Sequence, residues 1–329
     1  MAHTQLRFSS ANRIDCHHDV SEPATAARRR SVDGLSRWGF LSRGQQRRSH
    51  RNSPRPALSG LAGAEPRIVW RDDNPARCRK MWAPEFHLLD GPHGRRWYLY
   101  YCAAPADETV LVNHRLYVLE GQGGTPLGPY EGCGELDVSC GDNFWGIDAS
   151  VFALQDGRLF LLWAGAPGHR LFIAPLENPW SLCGPRVNLE ASGFGDKWLR
   201  EGPVALRRGG WVWLFYSVCD AQSADYKVGI IWADERADLL DPRSWEQHPT
   251  PVLARCDERG VWGPGHNGFF RSPDGREDWI VYHAKTGAEW GYSNRVPCAQ
   301  KISWTTDGWP LIGEPVGFGR ALTEPSGVD

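Results

Sequence analysis

The feature that most constrains this chain is a recurrence of short apolar runs at roughly 50 to 65 residue intervals, the size of one propeller blade. The runs are residues 97–102 (WYLYYC), 159–163 (LFLLW), 211–216 (WVWLFY) and 279–283 (WIVYH). Upstream of each stands a polar residue set among small or proline residues: Glu85 after Pro84, then Asp148, Glu201 and His266. The first strand of each blade of a propeller lines the central axis, so polar residues at one phase of the repeat converge at one end of it. Gly, Pro, Asn and Asp punctuate the runs, and no window sustains the i, i+3, i+4, i+7 pattern of an amphipathic helix. The chain is therefore read as all-β. A β-sandwich with irregular loops is the competing architecture, and it gives no reason for a polar residue at a fixed phase.

Composition narrows the partners. A formal net charge of −2 carries no whole-chain attraction to nucleic acid or to acidic membranes, and neither is expected as a partner. No apolar stretch reaches the roughly 18 residues of a membrane span. Residues 1–30 lack an apolar signal-peptide core, which leaves the compartment undecided. The nine cysteines form no CxxC pairs, so no disulfide framework is expected. The excess is tryptophan, 17 residues, most of them expected to fill a β core and the rest to offer flat rings for stacking on sugars.

Two carboxylates occupy the repeated phase, Asp148 in GIDASVF and Glu201 in REGPVAL. Glycosidic cleavage needs one carboxylic acid to protonate the leaving oxygen and a second carboxylate to activate water or attack the sugar. Taken singly, either acid could equally cap a turn.

Longer motifs carry a family resemblance. WAPEF, GIDASVF with DGRLFLLW, EGPVALRRGGWVWLFYS, GPGHNGFFRSPDGREDWIVYHA and the ending KISWTTDGWPLIGEP together resemble glycoside hydrolase family 43, in order and spacing, from residue 58 to about 318. The resemblance implies a five-bladed β-propeller that cleaves α-L-arabinofuranosides or β-D-xylosides of plant cell-wall polysaccharides with inversion. Its substrate partner would be an oligo- or polysaccharide containing arabinose or xylose. It further implies Glu201 as general acid and Asp148 as the carboxylate that orients the acid and raises its pKa. His266 matches a histidine that helps hold a calcium or other cation near the axis. No cofactor is required for the reaction itself. Arg295 matches an arginine near the acid and the sugar, and Trp82 and Trp145 are candidate walls of the sugar pocket. Glu85 is assigned a hydrogen-bonding role between blades.

The resemblance fails at its first blade, where the family places an Asp-Pro strand whose aspartate is the general base. Residues 1–57 hold eleven Arg and eight Ser and scarcely two adjacent large apolar residues. This segment is expected to be disordered or translated out of frame. The propeller is expected over 58–320 with its first blade incomplete or degenerate, and 321–329 forms a C-terminal tail. The general base is thus unknown. Asp19, followed by Val20, is the candidate from which a degenerate first blade could be drawn. The alternative function is a catalytically impaired carbohydrate-binding propeller that lacks the base.

Overall fold

The computed structural model of the protein describes residues 66–106, 113–139 and 144–328, together with two backbone strands nearer the N-terminus. These are Thr4–Ser9 (β1) and Ile14–His18 (β2), which form a three-stranded antiparallel sheet with Pro66–Asp72 (β3). Four larger antiparallel sheets follow. Blade A comprises Arg79–Gly91 (β4), Gly94–Ala104 (β5), Arg115–Gly121 (β6) and Tyr130–Leu136 (β7). Blade B comprises Gly146–Ala153 (β8), Leu159–Gly165 (β9), Arg170–Asn178 (β10) and two short outer pieces on β10, Ser181–Leu182 (β11) and Val187–Asn188 (β12). Blade C comprises Arg200–Arg208 (β13), Trp211–Val218 (β14), Lys227–Asp234 (β15) and Glu246–Gln247 (β16). Blade D comprises Trp262–Arg271 (β17), Asp278–Lys285 (β18), Arg295–Trp304 (β19) and Pro310–Leu311 (β20).

Each recurrent apolar run is the second strand of a blade. Strands β9 and β18 are buried at every residue, and β14 from Val212 onward. Both faces of such a strand meet another blade, which is why its sequence is continuously apolar rather than alternating. One hydrophobic cluster joins blades A, B and C through Tyr100, Leu162, Trp163, Leu214 and Tyr216, and another joins C to D through Phe215, Ile230, Ile280 and Tyr282. The β13–β14 hairpin turns at Gly209 (φ 64) and Gly210 (φ 82), between the paired Arg208 and Trp211. Two successive positive φ angles are what a two-residue type I′ turn requires, and glycine adopts them without strain.

Five tryptophans gather at the seam between blades C and D. Trp213 lies 6.1 Å from Trp211, 6.0 Å from Trp232, 6.4 Å from Trp304 and 5.1 Å from Trp309, ring centroid to ring centroid. The first three of these five rings come from blade C and the last two from blade D.

The N-terminal sheet is built differently from the blades. Its order is β2-β1-β3, whereas the blades run as meanders. Val69 and Trp70 pack against the Met81, Tyr101 and Tyr117 cluster of blade A. Buried Asp72 accepts from Arg77 Nε at 2.6 Å. Two strands therefore form inside the segment whose composition argues against order. Gln5-Leu6-Arg7-Phe8 has the period-two pattern of a strand, too brief to stand out from an Arg-rich background. The rest of residues 1–57, Asp19 included, lies outside the described residues. At the other end, Ser326 donates its N–H to Glu277 (3.0 Å) and its hydroxyl to Asp274 (2.7 Å), fastening the C-terminal residues to the β17–β18 turn. All seven described cysteines are free thiols. No helix among the described residues is long and apolar enough to cross a membrane.

Candidate active site

The first strands β4, β8, β13 and β17 pack against one another in succession, so they line the axis. Each carries a bulge near its N-terminal end, where pairing skips from Trp82 to Glu85, Ile147 to Ser150, Glu201 to Val204 and Gly265 to Gly268. The residue just inside each skip has left-handed backbone: Ala83 (φ 45), Asp148 (φ 58), Gly202 (φ 56) and His266 (φ 49). A bulge breaks strict alternation and re-aims side chains at the axis. It also corrects the phase read from sequence. Asp148 and His266 share a position with Ala83 and Gly202, while Glu201 stands one residue earlier and Glu85 two residues later. Non-glycine residues held in this conformation cost about 1–3 kcal/mol each and cluster at functional sites.

Glu201 is 8% exposed. Its Oε1 accepts from the Tyr226 hydroxyl at 2.6 Å, and its Oε2 lies 3.4 Å from His169 Nε2. Asp148, 4% exposed, accepts the Gly202 N–H on Oδ2 at 2.8 Å, so it grips the backbone immediately after Glu201. The Tyr226 ring lies parallel to the His283 ring at 5.3 Å. Arg295 Nη1 reaches His283 Nε2 at 3.3 Å, and because arginine only donates, the His283 proton sits on Nδ1. Burial, reinforced by the positive Arg295, His266 and Lys285, pushes His283 well below the ordinary histidine range and keeps it neutral.

Around the buried pair stand half-buried groups. Trp145 meets His169 edge-on at 4.9 Å, and Trp82 stacks on buried His114 at 4.2 Å. The His266 N–H donates to Ser217 Oγ at 2.7 Å, and its ring lies 6.3 Å from that of His283. Arg295 thus contacts His283, whose ring stacks on Tyr226, the partner of the acid. Glu85 binds His87 of its own strand at 2.9 Å.

Burial pushes the Glu201 carboxyl up, but the His169 hydrogen bond and charge, the His266 charge and the Tyr226 hydroxyl outweigh it and hold the group below the ordinary glutamate value. The free site thus favours the carboxylate at neutral pH. Tyr226 moves the other way, pushed well above the usual tyrosine range by burial and by the Glu201 charge.

The sequence reading missed His169, Tyr226 and His283. Only His283 carried a signal, as the last residue of the fourth apolar run. His169 and Tyr226 sit at the ends of the β9–β10 and β14–β15 connections, where single polar residues have no periodicity to mark them. Among the described residues, no group of three or more His, Cys, Asp or Glu side chains is arranged to hold a metal ion.

A sequence model described as glycosyl hydrolases family 43 matches residues 55–310. The chain is 34% identical over 281 residues to an extracellular exo-α-(1→5)-L-arabinofuranosidase of Streptomyces avermitilis, covering 80% of this chain and 56% of that protein. It is 35% identical over 240 residues to the enzyme of the same description from Streptomyces chartreusis, covering 69% of this chain and 70% of that one. The chain thus spans little more than half the length of the first of these relatives. Among solved structures, the α-L-arabinofuranosidase of Lactobacillus brevis superposes with a TM-score of 0.72 at 32% identity, over 80% of this chain and 86% of that one.

Proposed function

Because the chain belongs to glycosyl hydrolases family 43, we propose that it is an exo-acting, inverting glycoside hydrolase that removes α-L-arabinofuranosyl residues from plant cell-wall polysaccharides. One observation carries the reading: Glu201 is buried at the axial mouth, bonded to Tyr226 and backed by Asp148, under half-buried Trp145, His169 and His266. Glu201 is the proton donor. A sugar entering the mouth expels water, which adds to the burial that already favours the protonated form and works against the histidine charges. The loaded acid protonates the glycosidic oxygen as the bond breaks, and water attacks the anomeric carbon from the opposite face. Asp148 positions the acid through the Gly202 amide, and Trp82, Trp145, His266 and Arg295 line the sugar site. The general base comes from the N-terminal segment, with Asp19 as the candidate. The β2-β1-β3 sheet against blade A is what remains of the first of five blades. No step is routed through a metal ion.

The test is hydrolysis of 4-nitrophenyl α-L-arabinofuranoside and β-D-xyloside, with the released sugar followed by NMR. The arabinofuranoside should be cleaved preferentially and its sugar released first as the β-anomer. Preference for the xyloside, or release of the α-anomer, contradicts the proposal. A second reading, an impaired sugar-binding propeller, is favoured by one observation: the two carboxylates at the described mouth, Glu201 and Asp148, both belong to the B–C side. Sugar binding without hydrolysis would support it.

Tyr226→Phe gives a further expectation. The hydroxyl stabilises the Glu201 carboxylate, so its removal raises the Glu201 pKa. A general acid works below its pKa, hence the high-pH limb of kcat/KM should move to higher pH in the variant. An unmoved limb would show that the Tyr226 bond does not set the acid's ionisation.

A further inference from the structure

Among the described residues, two indoles stand largely in solvent. Trp198 is 79% exposed and Trp290 66%, against full or near burial for Trp163, Trp213 and Trp279. Both stand on connections at the end of the propeller that holds Glu201: Trp198 three residues before Glu201, and Trp290 five residues before Arg295. The two connections meet the 219–226 connection that carries Tyr226, one where the Asp196 side chain bonds Cys219, the other where the Gly291 N–H donates to Gln222 O at 3.1 Å.

The backbone beneath each ring is fixed. Buried Lys285 donates its ammonium to the carbonyls of Gln222 and Glu289, and Asn294 Nδ2 bonds Gly287 O and Glu289 Oε2, both at 3.0 Å. The residues on either side of Trp290 are therefore tied down. Trp198 and Leu199 donate their N–H groups to Asp196 Oδ1 at 2.7 and 3.1 Å, and the Asp196 N–H returns to Gly193 O at 2.9 Å. That turn is so close that a Cβ on Gly193 would lie 1.8 Å from Asp196 O. Neither ring gains burial from its position, and neither sits on a loop free to fold it inward. A flat apolar ring presented on fixed backbone stacks on the C–H face of a sugar with little ordering cost.

We infer that Trp198 and Trp290 are stacking platforms for the sugars on the leaving-group side of the cleaved bond, the part of an arabinan chain that extends out of the mouth past Glu201. This rests on the arabinofuranosidase reading. The pocket holds the terminal arabinofuranose, Glu201 protonates the oxygen that joins it to the next sugar, and the two indoles on the rim of that side receive the residues beyond.

The test uses the full chain and Trp198→Ala, Trp290→Ala and the double variant, on linear (1→5)-α-L-arabino-oligosaccharides of two to five sugars and on 4-nitrophenyl α-L-arabinofuranoside. The expected result is unchanged kcat/KM on the aryl glycoside, which has no sugar beyond the bond. On the longer oligosaccharides kcat/KM should fall roughly two- to tenfold per indole, carried by KM. Equal losses on both substrates, or none on the oligosaccharides, overturn the inference. Affinity electrophoresis in gels containing debranched arabinan reads the platform without turnover. Retardation of the wild type that the double variant loses supports it, even if the aryl glycoside is not cleaved and the functional reading fails. Hydrolysis of the aryl glycoside without retardation of the wild type overturns the platform and leaves the reading standing.

Discussion

Glu201→Gln is expected to lower kcat on an α-L-arabinofuranosyl oligosaccharide by about 10²–10⁴, the usual contribution of a positioned proton donor. Sugar affinity should hold. Glutamine keeps the volume and an acceptor for the Tyr226 hydroxyl, which bonds Oε1 at 2.6 Å, so the stacked Tyr226–His283 pair and the Arg295 contact behind it stay in place. What is lost is the transferable proton. The companion measurement is arabinose binding to the variant by calorimetry. Binding lost together with turnover would mark Glu201 as a structural group, and turnover retained within a few-fold would remove it from the acid role.

Trp213→Ala should produce the largest loss of stability, about 3–5 kcal/mol, the range for truncating a large buried aromatic. Trp213 is 3% exposed and is the ring around which Trp211, Trp232, Trp304 and Trp309 gather. Its removal empties the seam between blades C and D, and the remaining rings, held by four different backbone segments, cannot close over the void. For a chain of 329 residues, with an unfolding entropy of about 0.7 kcal/mol/K, the change corresponds to a fall in Tm of roughly 4–7 °C. Trp198→Ala, whose ring is in water, should shift stability by no more than about 0.5 kcal/mol. Comparable losses in the two variants would mean that the seam is not where the aromatic stabilisation resides.

The blades were legible because burial on both faces writes continuous apolar runs. WYLYYC, LFLLW, WVWLFY and WIVYH all fall on second strands, and blade boundaries follow from their spacing. The polar phase was only partly legible. Asp148 and His266 do share a position, but Glu201 and Glu85 sit off it, because a bulge adds a residue to each first strand and side-chain alternation cannot be counted through it. His169 and Tyr226 were not legible at all. They enter the site from connections, and only the closed arrangement of blades B and C brings them to Glu201. The strands β1 and β2 were hidden for a different reason: β1 takes one of its two edges from β3, more than fifty residues away in sequence, and β2 pairs with β1 alone.

The central claim is that Glu201 delivers the proton to the departing oxygen, and dependence on the leaving group tests it most directly. Wild type and Glu201→Gln are compared on (1→5)-α-L-arabinobiose, whose alkoxide must be protonated, and on 2,4-dinitrophenyl α-L-arabinofuranoside, whose phenolate departs unaided. The account predicts that the variant loses about 10²–10⁴ on the disaccharide and far less on the activated glycoside. An equal loss on both substrates would contradict it.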